Sequence, residues 1–456
     1  MTAKATISAI RFGTGLSPRY PAPADAAALM AGLDAPDEAA RRFPMQSFEA
    51  RRVTADAFQT LRRQMKSDRS NAEVKARLKA AGKEMDAGTA RDAMNFLSRG
   101  IHSPAPLRER LTWFWADHFT VRARPRALRG AVTNYVEDAI RPHVAGRFGA
   151  MLRAVVTHPM MLEYLDQSRS FGPNSPVGLK KGRGVNENLA REMLELHTLG
   201  VGGPYDQQDV KQMALLLTGL YADLGRGFTY RRNIAEPGTK TVLGQRFGGK
   251  RPAIEDIHAA LEMLARHPAT ARHLARKLAV HFLGPAPPDD LIEAMAGAYL
   301  AGGDDLRAMT AAMLDHPAAW EPLGTKARRP LEFIVAAYRA LDPEEEALHR
   351  MKRKDRQRSI FGPLSVMGQP FQQPSAPNGW PEEDEAWITP QAMAARIQWA
   401  MAVPSEVHRD LPDPRLFLET ALADAADGRL RFAVSAAETR WEGVGLVLAS
   451  PAFNRR

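Results

Sequence analysis

Four polar residues at helical spacing suggest an acid–base site in the stretch GVNENLAREMLELHTLGVGGPYDQQDV, residues 184–210. On a helical wheel that advances about 100° per residue, one arc holds Asn188, Arg191, Glu192 and Glu195. Two carboxylates one turn apart repel each other, which raises the pKa of one of them into a range that suits proton transfer. We therefore expect Glu192 and Glu195 to be catalytic. Asn188 and Arg191 are expected to bind the substrate.

Two other interpretations fit the same spacing. Glu187, Arg191 and Glu195 stand at i, i+4 steps, where a ladder of ion pairs stabilises a solvent-facing helix by about a few tenths of a kcal/mol. The Glu192–Glu195 pair also matches half of a di-metal carboxylate site that other helices complete. The stretch has no histidine pair at i, i+4, as a zinc-binding HExxH motif requires. We assign no metal ligand and no cofactor.

Two histidines and an aspartate are candidates to support these carboxylates. His197 falls on the apolar arc of the same helix, and His118 lies on the apolar stripe of RERLTWFWADHF. Packing in the core is the default role for both, and a supporting catalytic role is the alternative. Asp166, in HPMMLEYLDQS, precedes the Gly/Pro-rich segment that leads to the helix. This closeness in sequence makes Asp166 a candidate partner of Glu192 and Glu195.

Two further motifs suggest substrate binding. In GLKKGRG, Lys180, Lys181 and Arg183 alternate with glycines before the helix begins, an arrangement that binds anions when it adjoins a helix N-terminus. The motif does not match GxGxxG or a P-loop, so it gives little support for nucleotide binding. Trp380, in PNGWPEEDEAW, has a face on which a sugar or base can stack, although aromatic residues in proline-rich loops usually anchor the loop.

The elements that position these residues are predicted to be helices. Apolar residues recur with a period of about 3.6 over most of the chain. His158, His267 and His316 each precede a proline, and proline favours the first position of a helix, so these histidines are predicted at helix starts. Asp206 and Asp209 are predicted to cap the helix that follows the motif.

The pattern predicts an all-α protein with a single large multi-helix domain over residues 1–456 and at most one short β-hairpin. That hairpin is expected to pair RGFTYRRN with KTVLGQRFGG. Irregular insertions are predicted near residues 167–184, 221–251 and 368–390. Such long connections tend to be functional.

Composition restricts the function classes. The chain of 456 residues has a formal net charge of +10 and no cysteine, which excludes disulfides and thiolate chemistry. Its basicity favours an anionic partner, but Lys and Arg are spread along the chain without one dominant basic block, so nucleic acid is not expected. No transmembrane segment and no signal peptide are predicted. These features favour a cytoplasmic location and leave periplasmic export by another route open.

The stretch NENLAREMLELHTLGV resembles the signature of a large bacterial family, domain of unknown function 1800. Five further segments occur along the chain in the order expected of that family: RFGTGLSP, RERLTWFWADHFTV, KTVLG, HPATARHLARKLAVHF and GQPFQQPSAPNGWP. The resemblance implies a mainly helical protein and a partner similar to alkaline phosphatases and sulfatases. Relatives commonly read FWHNHF, where this chain has Ala116 and Asp117, and HD, where it has Ala235 and Glu236.

Two functions follow from these observations. The first is an enzyme of hydrolase or lyase type, with acid–base chemistry on an anionic or carbohydrate-like substrate. The second is a non-catalytic helical scaffold, or a partner of a phosphatase- or sulfatase-like protein. The scaffold predicts that the polar face of residues 187–195 is paired or solvent-exposed, with no cavity beside it.

Overall fold

Helices joined by short loops make up most of the chain, which confirms the all-α prediction. The computed structural model describes residues 2–123, 126–408 and 410–456. The α-helices before the strands are Lys4–Ile7 (α1), Ala26–Asp34 (α2), Glu38–Arg42 (α3), Phe48–Ser67 (α4), Ala72–His102 (α5), Pro106–His118 (α6), Ala131–Tyr135 (α7), Phe148–Val156 (α8), Pro159–Tyr164 (α9), Pro176–Lys181 (α10), Asn188–Glu192 (α11) and Gln207–Leu216 (α12).

The chain after the strands is again helical. Its α-helices are Ile254–Ala265 (α13), Pro268–Leu283 (α14), Asp289–Ala301 (α15), Leu306–Asp315 (α16), Pro330–Leu341 (α17), Ala347–Arg350 (α18), Arg353–Arg356 (α19), Gly362–Val366 (α20), Pro390–Val407 (α21), Pro414–Leu422 (α22), Gly428–Ser435 (α23), Arg440–Ala449 (α24) and Pro451–Asn454 (α25). Wider π-helical turns extend several of the helices, at Ser8–Phe12, Val136–Ile140, Met193–Thr198 and Gln357–Phe361.

Two antiparallel hairpins lie between α12 and α13, where one was expected. The strands are Leu220–Asp223 (β1), Gly227–Tyr230 (β2), Lys240–Val242 (β3) and Gln245–Phe247 (β4). β1 pairs with β2 and β3 with β4, so the predicted pairing of RGFTYRRN with KTVLGQRFGG is wrong. Leu243 and Gly244 both have positive φ, as the two-residue turn between β3 and β4 requires. Each segment contains its own turn and therefore pairs locally.

Side chains cap the helices where the sequence predicted. The ring nitrogen Nδ1 of His158, His267 and His316 accepts a backbone N–H two residues later. Asp206 and Asp209 form a reciprocal capping box at the start of α12, with N–H to carboxylate distances of 2.9 and 3.1 Å. These predicted helix starts are confirmed.

The apolar side chains form two hydrophobic cores. The first contains residues from Ile7 to Ala319, and the second joins Ala93–Ile101 of α5 to residues between Phe333 and Phe453. Helix α5 contributes to both cores, because Met85 in its middle packs in the first. Over the described residues, no helix is long and apolar enough to cross a membrane. One domain over the whole chain stays a prediction.

Candidate functional site

The motif helix changes its geometry in the middle. Helix α11 continues into the π-helical turn Met193–Thr198, where Leu199 N–H donates to Leu194 O at 2.9 Å, five residues back. The Thr198 hydroxyl donates to Met193 O at 2.7 Å over the same interval. π-turns inside helices are frequent at functional sites. A wheel with constant α-helical spacing therefore describes only the first part of this motif.

One side of the helix carries the predicted ladder of ion pairs. Arg191 contacts Glu187 at 3.1 Å and Glu195 at 3.2 Å. Gln207 of α12 hydrogen-bonds both Arg191 and Glu187 at 3.0 Å. The carboxylates of Glu187 and Glu195 are thus matched by Arg191, which gives this side of the helix a structural role. Neither Arg191 nor Glu195 lines a cavity described below.

Glu192 and Asn188 lie on the adjacent side of the helix and line a cleft of about 1590 Å³. Among the described residues, the Glu192 carboxylate has no hydrogen-bond or ion-pair partner, although it is half-buried. Burial raises the pKa of Glu192, and the nearby charge of Glu195 raises it further against the opposing charge of Arg191. The arc predicted as one site is therefore divided: Glu192 and Asn188 face a cavity, and the other two residues do not.

The cleft lies where the two hydrophobic cores meet. One wall comes from the middle of α5 and from residues 122–123 and 127–133, and the other from residues 353–365 and the proline-rich segment 370–377. Tyr164 and Leu165, at the end of α9, join the side formed by α11. The insertion predicted near 368–390 therefore forms part of the lining of this cleft.

Four arginines line this cleft: Arg122, Arg129, Arg353 and Arg356. Within residues 2–123, 126–408 and 410–456, none of the four forms an ion pair or a side-chain hydrogen bond. Arg356 even buries its Nε–H without a partner. The carboxylates that line the cleft are Asp86 and Glu192. An excess of unpaired guanidinium groups in a cleft attracts anions and can hold carboxylate or phosphate groups in a bidentate manner.

One wall of the cleft comes from a short basic segment of the sequence, although Lys and Arg are otherwise spread along the chain. Residues 351–358 read MKRKDRQR, in which five of the eight residues are basic. The expectation that no basic block stands out therefore missed the segment that supplies Arg353 and Arg356. The arginines of the opposite wall are distant in sequence, and only folding brings the two walls together.

His118 and His197 are core histidines. The His118 Nε2 lies 3.1 Å from the backbone oxygen of His197, and their ring centroids are 5.9 Å apart. Burial lowers the pKa of His118 well below its usual value and that of His197 to about 3, so both are neutral near physiological pH. Neither lines the cleft. Their burial agrees with core packing, the default role expected from their apolar stripes.

Asp166 follows the cleft residue Leu165 but does not itself line the cleft. Its backbone adopts a left-handed conformation with φ of 56°, which ends helix α9. Its carboxylate lies 3.3 Å from Arg169, which it helps to position at the following turn. A partnership between Asp166 and Glu192 stays a prediction.

The basic motif before α11 has a different geometry from the predicted one. Lys180 and Lys181 are exposed in the last turn of α10, and Gly182 ends that helix with a φ of 58°. The guanidinium of Arg183 lies over the ring of Phe171, 5.2 Å from its centroid. The two lysines adjoin the C-terminus of α10 rather than the N-terminus of α11, and anion binding by this motif stays a prediction. None of the three lines the cleft.

Trp380 anchors the proline-rich segment. Its backbone N–H donates to the Asp117 carboxylate at 2.8 Å, and its ring meets that of Trp387 edge-on at 6.2 Å. Asp117 also pairs with Arg329 at 2.7 Å. Trp380 lines a second, smaller cavity rather than the cleft.

Glu236, like Asp117, holds two segments of the chain together. Its carboxylate accepts the backbone N–H of Asn174 at 2.9 Å and the side-chain amide of Asn174 at 2.6 Å. Its own N–H donates to the Thr218 hydroxyl at 2.7 Å. Glu236 thus holds the segment before α10 against the segment that begins β1.

A buried network of charges adjoins the smaller cavity, and sequence spacing did not indicate it. Arg329 pairs with Asp117 and, at 2.6 Å, with Glu382, which also contacts Lys326 and His281. Glu332 pairs with Arg110 at 2.9 Å and Arg456 at 3.0 Å. These residues come from α6, α14, α17 and the segment before α17, the insertion 368–390 and Arg456, so only the folded chain brings them together.

Metal ligands do not cluster in the described part of the chain. Over those residues, no group of three or more His, Asp or Glu side chains is placed to hold a metal ion. The alternative in which Glu192 and Glu195 form half of a di-metal site therefore receives no further ligands from the described residues.

Comparison with known proteins gives one match. Neither the curated proteins nor the solved structures contain a match to this chain. The family described as "Protein of unknown function (DUF1800)" matches residues 9–455. This range includes α11, all the described cleft residues and every residue of the buried charge network except Arg456. The chain therefore belongs to the DUF1800 family, as the resemblance of its NENLAREMLELHTLGV motif implied.

Proposed function

We propose that the cleft binds an acidic oligosaccharide and that Glu192 transfers a proton in a lyase-type reaction on it. The observation that carries the proposal is that four unpaired arginines line the same cleft as one half-buried, unpaired carboxyl group. The cleft volume of about 1590 Å³ exceeds the range of about 300–1,000 Å³ that is usual for small-molecule sites. A segment of a polymer fits a cleft of this size better than a single small metabolite.

The lining favours a sugar over a nucleic acid as the anionic ligand. Uncharged side chains able to donate and accept hydrogen bonds stand between the arginines: Thr89, Thr133, Asn188, Gln357, Ser365, Gln372, Gln373 and Ser375. Amide and hydroxyl groups match the hydroxyls of a sugar ring. The carboxylates of Asp86 and Glu192 accept sugar hydroxyls, whereas they repel a phosphodiester backbone.

A single half-buried carboxyl suits elimination better than hydrolysis. Hydrolysis of glycosidic bonds generally uses two carboxyl groups on opposite sides of the bond. In elimination from a uronate, Glu192 removes the proton on the carbon next to the sugar carboxylate. A double bond forms to the neighbouring carbon, whose bond to the glycosidic oxygen breaks, and that oxygen takes a proton from solvent. The cleft arginines neutralise the sugar carboxylate, and the raised pKa makes Glu192 a stronger base.

Binding tests the ligand class. Isothermal titration with oligomers of polygalacturonate and hyaluronan is expected to show binding that weakens with added salt, while neutral dextran does not bind. Replacing Arg353 and Arg356 together by Gln is expected to reduce affinity by about 100-fold, since charged hydrogen bonds contribute about 1.5–3 kcal/mol each. Arg358→Gln is the matched control, because Arg358 pairs with Glu406 at 2.9 Å and does not line the cleft.

The reaction is tested separately. Elimination yields an unsaturated sugar that absorbs in the ultraviolet, and the Glu192→Gln variant is expected to lose that signal while it still binds the oligomer. Glu195→Gln is the control, because Glu195 pairs with Arg191 and does not line the cleft. Equal binding of dextran and the acidic oligomers, or tighter binding of single-stranded nucleic acid, would overturn the ligand class. Full turnover by Glu192→Gln would overturn the catalytic role.

A further inference from the structure

A second cavity of about 100 Å³ adjoins the cleft. Phe371 and Gln372, in the proline-rich segment, line both cavities. A ligand that contacts these two residues in the cleft therefore lies next to the small cavity.

Apolar side chains form most of the walls of this small cavity. They are Phe96, Trp113, Ala116, Val121, Val132, Val136, Leu331, Leu364, Phe371, Pro374 and Trp380. Such walls favour an apolar occupant, because removing apolar surface from water is the main source of its binding free energy. A methyl or short alkyl group meets this condition.

Two buried donors at the cavity have no partner among the described residues. Arg329 lines the cavity and is almost fully buried. Its two terminal nitrogens contact Asp117 and Glu382, but its Nε–H is unpaired. The indole N–H of Trp113, another lining residue, is buried and also unpaired. A buried donor without an acceptor is costly, so an acceptor oxygen that reaches either donor from the cavity gains from the contact.

The charges around the cavity favour a neutral occupant. Its charged lining residues, Asp117, Glu332 and Arg329, are all held in ion pairs, Arg329 with Asp117 and Glu382 and Glu332 with Arg110 and Arg456. His281, also in the lining, is neutral because burial lowers its pKa to about 3. A charged group on the ligand would compete with these ion pairs, whereas a carbonyl oxygen accepts hydrogen bonds without adding charge.

The volume sets the size of the group. An engineered apolar cavity of about 150 Å³ holds a benzene molecule, so a volume of about 100 Å³ holds about four non-hydrogen atoms. We infer that this cavity is a subsite for an acetamido group, the N-acetyl substituent of an amino sugar in the oligosaccharide that occupies the cleft. The inference rests on the proposed function and adds an acyl specificity to it.

The test varies the acyl group and keeps everything else constant. Hyaluronan hexasaccharides alternate a uronate with an N-acetylated sugar, and the amine can be re-acylated to give N-formyl, N-acetyl and N-butanoyl forms. Isothermal titration of the full chain is expected to show about fourfold tighter binding of the acetyl form than of the formyl form, which lacks the buried methyl group. The butanoyl form is expected to bind at least tenfold more weakly than the acetyl form, because it exceeds the cavity.

Two variants locate the selectivity. Val132→Phe fills the cavity and is expected to reduce the acetyl-to-formyl ratio to about one, while binding of polygalacturonate is unchanged. Trp113→Phe keeps the ring and removes the unpaired N–H, so it is expected to weaken acetyl binding by about fivefold without loss of the fold. It therefore keeps the inference testable if Val132→Phe does not fold.

The failures of the two proposals are distinguishable. Equal affinity of the wild-type protein for the three acyl forms, together with salt-sensitive binding, overturns the acetamido subsite and leaves the acidic-oligosaccharide function in place. An unchanged acetyl preference in both variants also overturns the subsite. No binding of hyaluronan or polygalacturonate at all overturns both.

Discussion

The cleft and the buried network beside it contain the same residue types in opposite states of pairing. In the network, Glu332 is held between Arg110 and Arg456, and Arg329 is held between Asp117 and Glu382. In the cleft, the described structure gives neither the arginines nor Glu192 a partner of opposite charge. Paired charges are best explained by the stability of the fold, whereas unpaired charges in a cavity are available to a ligand.

The largest effect of a substitution is expected in the buried charge network, as a loss of stability. Glu332→Ala leaves Arg110 and Arg456 buried without their counter-ion and should lower the free energy of unfolding by about 3–5 kcal/mol. Urea denaturation followed by circular dichroism measures this loss. The exposed Glu385→Gln serves as the control and should change stability by less than about 0.5 kcal/mol. A loss below about 1 kcal/mol for Glu332→Ala would contradict the structural role of the network.

The lowered pKa of Glu332 also predicts how the stability of the protein changes with pH. Burial opposes ionisation of Glu332, but the charges of Arg110 and Arg456 outweigh it and lower its pKa far below the usual value. The pair therefore contributes stability above the ordinary glutamate pKa, and that stability is lost as the pH falls toward the lowered pKa. Glu332→Ala should accordingly lose part of the acid sensitivity of the wild-type protein, which thermal unfolding at stepwise lower pH would show.

Substitutions of the unpaired arginines in the cleft are expected to affect ligand binding rather than stability. Arg122→Gln and Arg129→Gln, on the wall opposite Arg353, should each weaken binding of polygalacturonate oligomers by about tenfold. Their unfolding free energy should stay within about 0.5 kcal/mol of the wild-type value, because neither arginine has a described partner to lose. Titration and denaturation of the same preparations measure both quantities. A stability loss without a binding loss would reverse the proposed difference between the two regions.

Local patterns of the sequence predicted the fold class, the helix starts and the ladder, because each depends on residues that are near one another. The caps at His158 and Asp206 and the Glu187–Arg191–Glu195 pairs need only one helix and its flanks. The spacing also placed Glu192 correctly beside Asn188. The π-turn after Glu192 could not be read from periodicity, because the wheel assumes one constant rotation per residue.

The parts that the sequence did not reveal depend on long-range contacts. The cleft combines α5, α11 and the segment 353–377, and the network joins Arg110 to Glu332 and Arg456. Nothing in the local pattern distinguishes Arg353, which is unpaired, from Arg358, which has Glu406 beside it. Pairing is a property of the folded chain, so charge composition alone could indicate basicity but not a site.

A smaller effect is expected for Glu192 itself. Its pKa is raised in the folded protein, so ionisation costs stability as the pH rises above the ordinary glutamate pKa, and the full cost is reached above the raised pKa. Glu192→Gln should therefore raise the melting temperature slightly near neutral pH, with the gain disappearing in acid. Glu195→Gln, which removes an ion pair with Arg191, should not raise it. A pH-independent difference for Glu192→Gln would contradict the raised pKa.

The smallest effect is expected for Glu187, which lies on the ion-paired side of the motif helix, whereas Glu192 lies on the side that faces the cleft. Glu187→Gln removes the half-exposed ion pair with Arg191, which is expected to contribute only about 0.3–0.5 kcal/mol. It should leave oligosaccharide binding unchanged, because Glu187 does not line the cleft. Glu192→Gln, only five residues away on the adjacent side, should abolish turnover. If Glu187→Gln also reduced turnover tenfold or more, the ladder would be part of the site, and pairing would no longer separate structural from functional charges on this helix.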